Sequence, residues 1–524
     1  MRKDRKELVC RVCYIIMPLL LWLLNGLYSK TFFDEMSVET KPYFVTRIVL
    51  LILLYLLEYV IRWCVLGVGR GEEAVKLFVK VFLIVFLVYG VWFIISYPGA
   101  WGWDGYTILE YTKKGEINYW TSLLTSVVYF LGLMIFPSPI SVLILQMVFC
   151  ALLVSRVIYI VFVLTNSKKL AYILIIPCVL PVTIMYVLSP VRAILFALLS
   201  LCVCFEFLHL MKVEKITWIE WICFSILIAL VAFWRSEGVI FCLLPLCLIF
   251  AKRNSLKLKK GLIFCAISIC MVFLMKKLTI SNYQYMITSL YYPIQHMVQT
   301  DELDYEGVEE DLEKINVVFN VEVMRKSYSD PAGGFNQQDF AYGKEGFHPE
   351  QATEEEYHEM LHGFISLVFH KPLLFVKVRL QTFFGSMQQN GFVVDYISAY
   401  DKSAGSNFQP ENYLFFERWN VSMQNILLSL LSFKVGNIQI PIIATALNNM
   451  LFPIIALILL FFYELIKRNW EYVLIAFLYI GITVGTIIFE PLGQPMYYLH
   501  QYIMGYFLLI FILGKNMGKG KLAK

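Results

Sequence analysis

The sequence predicts an all-α polytopic membrane protein of about 12 transmembrane helices, with a mostly helical domain on the extracytoplasmic side. Three observations carry that prediction. The 524 residues are 59% hydrophobic and 16% charged, with a mean hydropathy of +0.67; soluble domains hold about 45–50% apolar and about 25% charged residues. Apolar runs near the spanning length of about 20 residues recur along the chain. Charge is also partitioned: 276–441 holds 12 Lys and Arg against 21 Asp and Glu, and the rest holds 32 against 18. Basic loops facing the cytoplasm and an acidic region facing out give that split.

The apolar runs lie at 9–28, 43–66, 77–97, 139–163, 169–188, 191–211, 217–234, 237–251, 260–275, 441–465, 470–489 and 497–514. The first follows the basic start Met1-Arg-Lys-Asp-Arg-Lys6. It is long enough to span and no small-residue cleavage site closes it, so it reads as a membrane helix with its N-terminus inside. Trp120–Phe136 is apolar enough to be a further span. Read as a helix lying in the interface, opened by Tyr119-Trp120, it keeps Arg62, Arg70, Lys76, Lys168, Lys169, Lys212, Lys215, Lys252, Arg253, Lys467 and Arg468 on one side. Both termini then lie in the cytoplasm, and the protein belongs to the cell membrane.

Four regions follow: two N-terminal membrane helices (1–75), a membrane core (76–275) with its first outer loop at 97–119 and its interface helix at 120–136, an outer domain (276–440), and C-terminal membrane helices with a basic tail (441–524). In the outer domain, Val308, Leu312, Ile315, Val318 and Phe319 repeat at helical spacing. Thr353 and Glu356 form a capping box ahead of Tyr357, Leu361, Phe364, Ile365 and Val368. Leu373–Phe384 is expected along the membrane interface. The basic balance sits in loops, not on a soluble face, so nucleic-acid binding is not indicated. All cysteines precede Lys276 and none lies in the acidic region read as facing out; Cys202 and Cys204 read as buried small hydrophobes.

This topology brings five polar segments to the outer face: 97–119, Ser189–Arg192, Arg235–Gly238, the 276–440 domain and Glu490–Gln501. In the first, Asp104 stands among Trp101, Trp103 and Tyr106. A carboxylate there can take a proton from an acceptor hydroxyl, or hold a divalent cation against a phosphate leaving group; the alternative is a solvated loop acid. Arg192 and Arg235 lie at outer helix ends, where a planar guanidinium suits a phosphodiester. The alternative for Arg235 is a structural pair with Glu237, and for either arginine a snorkelled end. His358-Glu359-Met360-Leu361-His362 matches the H-E-x-x-H pattern of zinc hydrolases, but no third ligand follows at a family spacing.

From Pro98-Gly99…Asp104, with the interface helix and the many spans that follow, the chain resembles the GT-C superfamily of membrane glycosyltransferases. More specifically it is similar to an uncharacterised family of bacterial membrane proteins, common in Firmicutes and related to that superfamily. Tyr292-Pro-Ile-Gln295, Asp330-Pro331, His370-Lys-Pro372 and Val376–Ser386 extend the likeness in order. Two positions depart from the pattern: Gly105 follows Asp104 where a serine is usual, and Trp120-Thr121 stands where relatives carry His-Pro. The resemblance implies inverting transfer of a sugar from a polyprenyl-phosphate donor to an extracytoplasmic glycan or other cell-envelope acceptor. Asp104 would be base or ligand to a Mg or Mn ion, Arg235 and Arg192 would hold phosphate, Trp101, Trp103 and Tyr106 would line the sugar site, and Glu237 would complete it. Competing readings are a transporter or flippase of lipid-linked glycans, a polymerase or ligase that joins whole glycans, and an external zinc hydrolase at His358 and His362. Few ionisable groups are candidates for a mid-membrane site, Glu58 near the inner end of its helix and Glu206, which disfavours transport.

Overall fold

The computed structural model describes residues 14–27, 41–117, 123–251, 283–300, 302–327, 330–332, 352–387, 447–490 and 493–522, with short stretches between 262 and 273 and between 434 and 439. Among them the secondary structure is helical apart from a two-stranded antiparallel ladder pairing Lys434–Val435 with Ile438–Gln439. The chain divides into two compact units, one built on residues 1–276 with 393–447 and 506–524, the other on 277–392 with 448–505.

The first unit opens with α1 (Tyr14–Leu27) and α2 (Lys41–Gly69). It continues through α3 (Glu73–Ile95), α4 (Trp103–Lys113), α5 (Leu123–Ile135) and α6 (Pro139–Thr165). Then come α7 (Lys168–Ile173), α8 (Pro181–Val187), α9 (Arg192–Lys212), α10 (Trp218–Trp234) and α11 (Leu243–Ala251). Some of the long helices begin or stop at recognisable signals. Pro139 sits in the first turn of α6 and Asn166 closes that helix in the left-handed conformation. Thr217 and Glu220 cap α10 reciprocally. The described residues hold six helices long and apolar enough to span a membrane, or up to eight if each of two sharply bent pairs is one span.

That number is below the 12 expected, for reasons visible in the chain. The 169–188 run is not one helix. Pro177 and Pro181 interrupt it, so α7, a 3₁₀ turn (Ile176–Val179) and α8 meet at a 65° bend. The 237–251 run splits into a 3₁₀ segment (Ser236–Cys242) and the nine-residue α11. Residues 441–446 and much of 260–275 lie outside the described residues. The segment expected at the interface, 120–136, forms α5, whose 13 residues extend about 20 Å, short of the roughly 30 Å hydrocarbon core. Residues 125–134 are all buried, so protein packs round it.

The two ends of this unit differ in chemistry. At one end Lys168 bonds Glu73 at 2.5 Å and Lys76 bonds the same carboxylate at 3.2 Å, beside Arg70 and Glu72. The C-terminus of α9 at Lys212 leads back there as well. At the other end the chain leaves α3, α8 and α10. Between the ends, Arg156 of α6 bonds Glu206 of α9 at 2.6 Å, the partner that a mid-span ion needs. Arg47 of α2 is 7% exposed and donates to Asn25 at 2.7 Å and to the Trp22 carbonyl at 2.5 Å.

The second unit contains α12 (Tyr283–Val298), α13 (Glu309–Asn316), α14 (Val321–Lys326), α15 (Glu354–His370) and α16 (Pro372–Ser386), followed by α17 (Leu451–Ile466), α18 (Trp470–Phe489) and the first turns of α19 (Leu499–Leu522). The expected capping box at Thr353 and Glu356 is present. Ile287, Tyr291, Leu312, Ile315, Phe319, Met360, Phe364 and Leu367 share one core. Asp311 meets His370 Nδ1 at 2.6 Å. Helices on both sides of residue 440 join this unit: α16 is hydrogen-bonded to the end of α18.

Close helix packing needs small residues where backbones meet. A Cβ on Gly132 would lie 2.8 Å from Val142 Cα, whereas one on Gly90 would meet nothing within 4 Å. Gly132→Ala is therefore expected to lower the thermal midpoint of the detergent-solubilised protein, at a cost of about 1–3 kcal/mol, and Gly90→Ala to leave it unchanged or slightly raised. Dye-reported thermal unfolding of both variants checks this.

Candidate functional site

The site is assembled at the α3, α8 and α10 exits of the first unit. After α3, Gly99 takes φ +101°, and a Cβ there would meet Leu143 Cδ1 at 2.3 Å and the Leu188 carbonyl at 2.9 Å. Only glycine permits both the backbone conformation and the approach. Ala100 N then donates to the Leu188 carbonyl at 2.8 Å, which fixes the 97–102 loop against the end of α8. Asp104 falls in the first turn of α4, where a carboxylate complements the positive helix terminus.

Across from it, the chain between α8 and α9 is held by two buried side chains. Gln146 of α6 is 3% exposed. Its Nε2 donates to the carbonyls of Ser189 at 2.6 Å, Val187 at 2.9 Å and Tyr186 at 3.3 Å. These carbonyls lie at a helix end, where the ladder leaves acceptors open. Tyr129 of α5 donates to the Pro190 carbonyl at 2.7 Å. So held, α9 begins at Arg192 with its side chain half-buried and near enough to Asp104 for the two charges to interact. Trp234 at the end of α10 donates to the Arg192 carbonyl at 2.9 Å.

The Asp104 side chain is reachable by water, yet enough protein crowds it that burial raises its pKa above the ordinary carboxylate value, partly offset by the Arg192 guanidinium. Among the described residues no three His, Cys, Asp or Glu side chains group as a metal site. A Mg or Mn ion held at Asp104 would take its remaining oxygen ligands from water and substrate phosphate. His358 and His362 are both exposed on α15, and His358 lies 4.0 Å from Glu354.

The other expected site residues divide. Arg235 is buried and committed to Glu237, with Nη2 2.6 Å and Nε 3.3 Å from that carboxylate, and it lies over the Phe196 ring at 5.6 Å. This is the structural pairing, so Arg235 is not a free phosphate clamp. Trp101 and Tyr106 do not line a sugar site: they are 0% and 4% exposed. Trp101 stacks on Tyr106 at 5.9 Å and meets Tyr129 edge-on at 6.3 Å. Tyr106 thus seats α4 on Trp101. Trp103 opens α4, and its side chain is outside the described residues.

Sequence reasoning missed Gln146, Tyr129 and a polar cluster in the second unit. There, Arg379 of α16 donates from Nε to the Ile487 carbonyl at 2.9 Å and from Nη2 to the Glu490 carbonyl. Ser386 donates to the Glu490 carboxylate at 2.8 Å. Burial pushes the Glu490 carboxyl up to about 7, against the opposing pull of Tyr498, Ser386 and Arg379. His296 is pressed down to about 3 by burial and by Arg379, and is neutral. The available signal was a glutamine or an arginine inside an otherwise apolar stretch.

Comparison with protein-family models finds no match, and neither the curated proteins nor the solved structures hold a significant relative.

Gln146→Leu keeps the volume and removes the donor, leaving buried carbonyls unpaired at about 1–3 kcal/mol each. A drop of several degrees in the thermal midpoint is expected, together with loss of any activity that needs Arg192 beside Asp104. An unchanged midpoint would show that the α8–α9 connection holds itself.

Proposed function

We propose that this chain is a membrane glycosyltransferase that moves a sugar from a polyprenyl-phosphate donor to a cell-envelope acceptor outside the cytoplasm. The observation that supports the reading most is the approach of Asp104, a water-accessible carboxylate of raised pKa, to Arg192 at the N-terminus of a 21-residue helix. Charge partition supports the orientation. The Arg70, Lys76 and Lys168 end faces the cytoplasm and the Asp104 end faces out.

In this reading Asp104 accepts the proton of the acceptor hydroxyl as its oxygen attacks the anomeric carbon. The bond from that carbon to the phosphate oxygen breaks on the opposite face, inverting the centre. Polyprenyl phosphate departs carrying the electron pair. Its growing negative charge is met by Arg192 and by the positive N-terminal end of α9. A base works best with a pKa raised toward the working pH, and crowding at Asp104 acts in that direction.

The test is reconstitution in vesicles with labelled polyprenyl-phosphate sugars. Asp104→Asn is expected to cut turnover by about 10²–10⁴, the usual contribution of a positioned base. No turnover by the native chain with any donor, or equal turnover in the variant, overturns the reading. Release of sugar-free polyprenyl phosphate separates transfer from a flippase, which breaks no bond.

The pH profile gives a second check. Arg192 lowers the Asp104 pKa, and the base must be ionised to act. Arg192→Gln is therefore expected to move the acidic limb of the activity profile to higher pH as well as to slow the reaction. A limb that stays in place or moves down would separate the two residues.

A further inference from the structure

Helix α16 buries an arginine and exposes large apolar residues. Its exposed stripe is Leu373, Val376, Leu380 and Phe384, with exposures of 84%, 51%, 41% and 52%. Its covered face holds Arg379, Thr382 and Ser386, at 1%, 0% and 0%, beside the apolar Val378 and Phe383. A helix on a water-facing lid keeps its charge and not its large apolar residues outward. Here the one arginine points inward and is spent on the carbonyls of Ile487 and Glu490 at the end of α18.

That attachment fixes the level of the helix. α18 passes every test of length and composition for a membrane span. Its own last residues, Ile488 and Phe489, are 38% and 61% exposed and apolar. The outward stripe of α16 therefore adjoins the terminus of a spanning helix, where hydrocarbon gives way to headgroups. Lys377, the cation on this stripe, is paired with Glu302. A groove of about 640 Å³ runs along the stripe, lined by Ala332, Leu373, Val376, Leu380, Gln381 and Phe384 among others, and it is overwhelmingly apolar. At Gly385 a Cβ would lie 2.2 Å from the Ala332 carbonyl, so the groove's far wall is in direct backbone contact with the helix.

We infer that α16 is an interfacial membrane helix whose Leu373, Val376, Leu380 and Phe384 face insert among the acyl chains of bilayer phospholipid, one chain occupying the groove against Ala332. An apolar face of this size standing in water is costly, at about 25 cal/mol per Å², whereas in lipid it needs no further cover. The elbow of 102° between α15 and α16 then marks where the acidic helical layer turns down onto the membrane. The inference stands apart from the proposed transfer reaction, since it uses no residue of the Asp104 site.

The test uses the full chain in phospholipid vesicles with a photo-crosslinking amino acid at position 376, 380 or 384, and at position 355 on the exposed acidic start of α15 as control. Irradiation followed by mass spectrometry is expected to show phospholipid adducts at the first three, several-fold above the control. Protein–protein adducts at 380, or lipid adducts no higher at 380 than at 355, overturn the inference. Leu380→Asp combined with Val376→Asp gives a further readout: the lipid adduct at 384 should fall while Asp104-dependent turnover is measured separately. An undiminished adduct at 384 also counts against the assignment.

Discussion

Inside a helix bundle that faces lipid, a backbone that stops being helical has no water to accept its hydrogen bonds. The chain nevertheless breaks between α8 and α9, and it can do so because the Gln146 carboxamide supplies donors to the carbonyls of Val187 and Ser189. From that accommodation the rest of the polar end follows. Pro190 is placed under the Tyr129 hydroxyl, Leu188 receives the amide of Ala100, and Arg192 starts its helix beside Asp104. The geometry between a carboxylate and a cation separated by 88 positions in the chain is thus set by a neutral side chain.

The aromatic residues round Asp104 show how position alone misleads. Tryptophan and tyrosine near a carboxylate are the vocabulary of sugar binding, and Trp101 and Tyr106 were read in that sense. The same rings are large apolar bodies, and a short helix following a glycine turn needs something to rest on. Both rings are buried, and the Trp101 indole N–H is used on the Pro98 carbonyl. Arg235 tells a similar story: a carboxylate two residues on, at Glu237, was the nearest partner in sequence and is the partner in the structure.

Much of the fold was legible because membrane helices obey a length rule. The spans expected at 43–66, 77–97, 139–163, 191–211 and 470–489 appear within a few residues of their bounds. The broken 169–188 segment was legible in principle, since Pro177 and Pro181 stand inside the run. What could not be read was pairing across distance. Nothing local ties Arg156 to Glu206 or Arg379 to Ile487, and the two stripes of α16 are visible in sequence without any sign of which one faces the protein. The decisive contacts at the polar end came from a glutamine, a tyrosine and a glycine: Gln146, Tyr129 and Gly99.

The Arg156–Glu206 pair bears on how the chain is made. These side chains are 50 residues apart, so the arginine-bearing helix leaves the ribosome well before its counter-ion exists. Entering lipid with that cation alone costs roughly 2.5–3.5 kcal/mol on insertion scales, and the cost vanishes once the carboxylate arrives. Pairing with α9 therefore offsets a cost that α6 carries by itself, and the order of synthesis puts α6 in the chain before the helix that completes it.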